Sequence, residues 1–178
     1  MSNRVWQFVL LFFGLLALQV LLFSNIELFG FLSPYVYVLF ILLLPVDISP
    51  MVAMPLAFVH GLSIDLFASS LGLHATASTI LAFIRPYVLR RFVDRESEKS
   101  SILPTMRNLG TVRTLQYVLI GVSIHHLALY LLSAATFNGG WIVWFHALGN
   151  ILFTSMLLLV ALALVSTPSA SHKRQQRL

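Results

Sequence analysis

Asp65 is the one acidic side chain set well inside a long apolar run, and any chemical reading of the chain starts there. A charge in a bilayer core costs roughly 2.5–3.5 kcal/mol on insertion scales, so it is expected to face protein rather than lipid. Ala53, Ala57, Gly61 and Asp65 recur at every fourth residue, which places them on one slowly drifting helix stripe. Small residues at that spacing let a second helix approach closely. His74, Ser78 and Ala82 make a matching stripe on the next apolar run. The turn between the runs is short, so the two helices are antiparallel neighbours. Asp65 and His74 then lie at similar depth and can share a hydrogen bond. A polar pair that fixes helix register is the simpler role, because buried polar groups need partners. A functional polar site is the other reading.

The remaining polar side chains suggest weaker chemistry. His146, Asn150 and Thr154 form another stripe by the same spacing, and His125 and His126 are adjacent, pointing about 100° apart. Zinc needs three or four converging ligands. His60, His74, Asp65 and His146 would supply them only through an arrangement that spacing does not give, so structural hydrogen bonding is expected and no metal. Gly61-Leu62-Ser63 is a G-x-S sequence, but a rhomboid-type G-x-S-G would need glycine where Ile64 stands. A serine in a membrane helix more often bonds back to its own helix. Cysteine is absent, which excludes disulfides, iron–sulfur clusters and thiol catalysis. Gly139-Gly140 lacks the lysine of a phosphate-binding loop, so no nucleotide or other cofactor is expected.

These residues must be positioned by membrane helices. Of 178 residues, 58% are hydrophobic and only 10% charged, and the mean hydropathy is +0.90. A soluble domain is typically about 25% charged. Continuous apolar runs, rather than alternation, indicate α-helices and not a barrel. The spacing predicts an all-α integral membrane protein with about six transmembrane helices of roughly 20 residues. The expected spans are 5–23, 31–46, 51–67, 73–89, 115–136 and 141–165, within a domain over 1–168. The run 5–23 is read as a retained helix, not a cleaved leader, since no small-x-small site follows it. The run 31–46, between Pro34 and Pro45, is the shortest. A loop over 90–114 and a basic tail over 169–178 complete the layout.

The charges orient this bundle. With six spans, all eleven Lys and Arg side chains fall on one side, which the positive-inside rule makes cytoplasmic, together with both termini. Trp6, Tyr117, Trp141 and Trp144 fall near the expected interfaces. Arg85, Arg90, Arg91 and Arg95 lie where the fourth span meets the loop, as topogenic charges or a docking segment for a cytoplasmic partner. The cations lack interleaved stacking aromatics, so no nucleic-acid interface is expected.

With these residues in place, the chain resembles the bacterial rod-shape-determining protein MreD family. The resemblance rests on the segment from Pro45 to His74: a proline-bounded short helix, then Ala57-Phe58-Val59-His60-Gly61-Leu62-Ser63-Ile64-Asp65-Leu66-Phe67, then Leu71-Gly72-Leu73-His74. It is similar to the family's G-x-x-x-D followed by a short turn and L-G, and Arg85-Pro86 closing the fourth span is a further similar feature. The resemblance implies a non-enzymatic inner-membrane component of the cell-elongation machinery that scaffolds peptidoglycan synthesis. Its partners would be the bitopic protein MreC and, with it, MreB, a RodA-type polymerase and its transpeptidase, within membrane lipids. Ala57, Gly61, Asp65, Gly72 and His74 would then serve helix packing or a partner or ligand groove. The family also looks similar in fold to the substrate-binding subunits of energy-coupling-factor vitamin transporters. A small-molecule uptake subunit, with a pocket near the turn between spans three and four, is therefore the rival reading.

Overall fold

The computed structural model describes residues 2–70, 72–94, 101–136 and 141–166. Among these residues the chain is helical, apart from one isolated bridge between Leu28 and Leu32. The helices are α1 (Ser2–Leu21), α2 (Val38–Leu42), α3 (Pro50–Ala68), α4 (Leu73–Leu89), α5 (Met106–Leu109), α6 (Thr111–Thr136) and α7 (Ile142–Ser166). Helix α3, the stretch Thr111–Ala134 of α6 and the stretch Ile142–Leu164 of α7 are long and apolar enough to cross a membrane. The chain is an all-α membrane protein. Large apolar side chains such as Leu10, Phe13, Leu66, Leu152 and Leu164 cover its outer surface, as lipid-facing helices require. Arg95, Gly139-Gly140 and the expected tail lie outside the described residues.

Local chemistry sets the helix ends. Ser49 caps α3, its side chain accepting from the Met51 N–H at 3.2 Å, and Pro50 follows where a missing N–H costs nothing. Ser69 at φ +52° ends the helix, and Gly72 at φ +79° starts α4. The reversal between α3 and α4 thus needs a left-handed residue on each flank, and glycine adopts one without strain.

The second expected span is the main correction. Helix is present only over Val38–Leu42; residues 31–37 and 43–49 are turns and irregular chain. Proline is the local cause. Pro34 biases Ser33 away from helical geometry, and Pro45 cannot extend α2. All five residues of α2 are buried, so this short helix is wrapped by protein on every side. The segment still runs the length of α4. Tyr35 lies 5.7 Å from the His74 ring near the start of α4, and the Pro45 carbonyl accepts from Arg85 near its end. A second difference concerns the 90–114 loop: it holds α5, and α6 begins at Thr111 directly after Gly110.

The two small-residue stripes meet as their spacing predicts. Ala53, Ala57, Gly61 and Asp65 are buried on α3, and His74, Ser78 and Ala82 are buried on α4. Gly61 sits against backbone. A Cβ there would lie 2.5 Å from the His74 carbonyl oxygen and 2.7 Å from Cα and N of Ala75. No side-chain rotation relieves such a clash. Gly61→Ala is expected to destabilise the protein by about 2 kcal/mol or more, as overpacking against a fixed neighbour does. Thermal unfolding in mild detergent measures it, with Ala57→Gly expected to cost about 1 kcal/mol or more from lost helix propensity and packing.

Candidate functional site

Asp65 sits one turn from the end of α3, where it faces the first turn of α4. Its Oδ1 accepts from the His74 backbone N–H at 3.1 Å and from the Ser70 hydroxyl at 2.5 Å, and lies 2.9 Å from His74 Nδ1. Its Oδ2 accepts from the Ala75 N–H at 2.9 Å. The carboxylate therefore caps the N-terminus of the neighbouring helix from across the hairpin. Helix N-termini leave N–H groups unpaired and carry partial positive charge, and a carboxylate satisfies both. A carboxylate accepts only, so His74 donates through Nδ1. The Asp65–His74 pair expected from spacing is thus present, at 2.9 Å; Gly61 provides the close approach that makes it, and Gly72 contributes the left-handed backbone that starts α4.

This arrangement does not activate a serine. A nucleophilic serine hands its proton to a free imidazole nitrogen and needs N–H donors for the developing oxyanion. Here Ser70 and His74 both direct hydrogens at Asp65 Oδ1, and the α4 amides that could form an oxyanion hole are held by the same carboxylate. Ser63, the serine of the G-x-S sequence, donates to the Val59 carbonyl at 2.8 Å within its own helix. Among the described residues, no group of three or more His, Asp or Glu side chains is placed to hold a metal ion.

A larger polar system surrounds the irregular 31–46 segment. Gln19 of α1 donates from Nε2 to the Pro34 carbonyl at 3.1 Å and accepts at Oε1 from the Tyr37 N–H at 3.4 Å. Asn150 of α7 accepts from the Ser33 N–H at 2.7 Å and donates to the Phe31 carbonyl at 2.8 Å. Thr154 accepts from the Tyr35 N–H at 3.2 Å. His146, the outermost member of that stripe, stacks its ring on Phe31 with centroids 5.0 Å apart. At the other end, Arg85 donates to the carbonyls of Leu42, Leu44 and Pro45, and its Nε donates to the Tyr117 hydroxyl at 3.0 Å. The Tyr117 hydroxyl donates in turn to the Leu42 carbonyl at 2.9 Å. Gln19, Asn150, Thr154, Tyr117 and Arg85 thus supply hydrogen bonds to backbone groups of the segment, where regular helix is confined to α2.

The histidines fall into place around the same segment. His125 and His126 are fully buried and point to different partners. His125 Nε2 is 2.7 Å from the Tyr37 hydroxyl. His126 Nδ1 donates to the Val122 carbonyl at 2.9 Å, which leaves Nε2 as the acceptor 3.4 Å from the Thr154 hydroxyl. His60 is enclosed by the rings of Phe12 at 4.5 Å, Phe40 at 4.7 Å and Tyr37 at 5.9 Å.

Two expectations are corrected here. Arg85 is only 2% exposed, so it serves the interior and presents no docking surface. Tyr117 is 1% exposed and works as a hydroxyl donor in the core rather than at an interface, whereas Trp6, Trp141 and Trp144 are exposed. Ala57 is fully buried; Arg90 and Arg91 are exposed at the end of α4. Gln19 was not singled out by its spacing. Its signal is present in the sequence: Gln7 lies near the start of the run 5–23, and Gln19 is the amide set deep within it.

Asp65→Ala is expected to destabilise the hairpin by about 2–3 kcal/mol, since it strands two helix N–H groups and the Ser70 and His74 donors. Ser63→Ala is expected to leave stability within about 0.5 kcal/mol, as a locally bonded surface hydroxyl does. Arg85→Met is expected to cost about 2–3 kcal/mol, because it leaves the Leu44 carbonyl without its donor and takes one donor each from the Leu42 and Pro45 carbonyls. Thermal unfolding of the three variants in one detergent ranks them.

The chain matches no protein-family model, no curated protein and no solved structure.

Proposed function

We propose that this chain is a non-enzymatic scaffold of the bacterial cell-elongation complex, an MreD-type protein that holds an MreC-type bitopic partner. Around that pair it serves peptidoglycan synthesis with MreB, a RodA-type polymerase and its transpeptidase. The observation that carries the reading is the use of the G-x-x-x-D motif. Gly61 admits the α4 backbone, and Asp65 spends both carboxylate oxygens on that helix and its turn. A motif whose polar valences are consumed internally favours architecture over turnover.

In this reading the chain crosses the inner membrane six times, with both termini in the cytoplasm. The 31–46 segment makes the second crossing as protein-enclosed irregular chain, since it runs alongside α4 from His74 to Arg85. The exposed cations Arg90, Arg91, Arg107 and Arg113 then share the cytoplasmic side. The rival uptake-subunit reading calls for a pocket beside the α3–α4 turn. That position is occupied by the Asp65 hydrogen bonds, and a groove of about 440 Å³ lies elsewhere, between Phe31, Leu32 and α7.

Co-purification from mild detergent tests the proposal. The chain is expected to recover an MreC-type protein, and Asp65→Ala to reduce that recovery and round the cells. Normal rod shape and unchanged recovery in Asp65→Ala cells, with the variant shown to be depleted of its fold by thermal melting, would sink the scaffold reading. A thermal shift by a vitamin-like metabolite with no partner recovered would replace it with the uptake reading.

A further inference from the structure

Exposed arginines lie where α4 ends and α6 begins. Arg90 and Arg91 are exposed at the end of α4. Arg113, in the first turn of α6, is exposed too, and its Nη1 donates to the Phe92 carbonyl at 3.3 Å. That bond brings its guanidinium beside the residue that follows Arg91. Among the described residues, no carboxylate lies within 4.0 Å of any of the three. Their level is a membrane boundary, because the stretch of α6 apolar enough to cross a membrane begins at Thr111.

Beneath these charges the surface turns apolar in a defined column. The Arg90 guanidinium lies over the Tyr87 ring, 5.6 Å from its centroid. Tyr87 meets Phe83 one turn deeper, with centroids 6.1 Å apart. Both rings are half-exposed or more, at 59% and 51%. The sequence of groups is thus guanidinium, phenol, phenyl, read from the boundary inward. Guanidinium forks match phosphate oxygens, and tyrosine sits at headgroup depth. An amphiphile with an anionic phosphate head and an acyl chain has that same order.

We propose that Arg90, Arg91 and Arg113 bind the phosphate of an anionic glycerophospholipid whose acyl chain lies along Tyr87 and Phe83. The apolar column commits the site to a lipid rather than to a free anion. The cations act together: Arg113 docks on the α4 end through Phe92, so a lipid bridging them ties α6 to α4 at this boundary.

The test uses the full chain in neutral detergent, with binding read by native mass spectrometry and by thermal shift. Cardiolipin or phosphatidylglycerol is expected to bind and to raise the melting temperature, and phosphatidylcholine to do neither. Replacing all three arginines, R90Q/R91Q/R113Q, is expected to weaken cardiolipin binding by about 100-fold, from the loss of three juxtamembrane cations. Phe83→Ala is expected to weaken it with the charges intact, which a purely electrostatic patch would not show. If inorganic phosphate at the same concentration gives the same shift, the site is one for free anions and the proposal fails. Equal binding of phosphatidylcholine, or undiminished cardiolipin binding by the triple variant, also overturns it. Should the triple variant melt early without lipid, R90Q alone, which leaves the Arg113–Phe92 contact in place, is expected to show about fivefold weaker binding.

Discussion

An apolar interior leaves a backbone N–H or C=O no alternative partner, and this constraint organises the bundle. Within a bilayer each unsatisfied group costs several kcal/mol, so non-helical chain survives only when protein supplies the missing hydrogen bonds. The 31–46 segment forms just five residues of helix. Backbone bonds satisfy some of its other peptide groups, and Gln19, Asn150, Thr154, Tyr117 and Arg85 supply partners to others. These side chains come from four of the helices, α1, α4, α6 and α7. The segment therefore acts as a shared core element, and removing any one donor loosens the packing of a helix onto it.

Asp65 follows the same rule at the opposite kind of defect. There the unpaired groups are the N–H donors of a helix start, and the partner is a carboxylate from the preceding helix. An exposed helix terminus could use water. A terminus buried under Gly61 and flanked by apolar helices needs a side chain. Negative charge at a helix N-terminus is also favourable, and His74 and Ser70 neutralise the rest of its hydrogen-bonding capacity. This explains how a charged residue is tolerated 2% exposed in a membrane helix.

The two parts differ in how far the sequence reveals them. The α3–α4 hairpin was legible because its logic is local: four-residue spacing of Ala53, Ala57, Gly61 and Asp65, a turn, and then His74, Ser78 and Ala82. Both partners of the polar pair lie within nine residues of one another. The 31–46 segment was not legible in the same way. Nearly every residue there is apolar, and periodicity cannot separate a helix from a chain buried on all sides. The partners that decide its conformation are remote, with Asn150 lying 117 residues from Ser33 and Arg85 lying 41 from Leu44. Tyr117 was misplaced for a related reason. An aromatic with a polar tip suits both an interface and a buried hydrogen bond, and only the position of the Leu42 carbonyl distinguishes them.

The distribution of polarity bears on function. Many interior polar groups around the segment and the hairpin are spent on hydrogen bonds that hold the fold, whereas both ring nitrogens of His60 and the hydroxyls of Ser78 and Ser155 are buried without a hydrogen-bond partner. What remains available to other molecules is the exterior: a lipid-facing apolar surface and the arginines at the end of α4 and the start of α6. Side chains from four helices fix the irregular chain inside, while the described exterior is dominated by large apolar side chains with arginines at the end of α4 and the start of α6. A face that does not rearrange binds without spending its affinity on becoming ordered, which is the property the proposed scaffold role calls for.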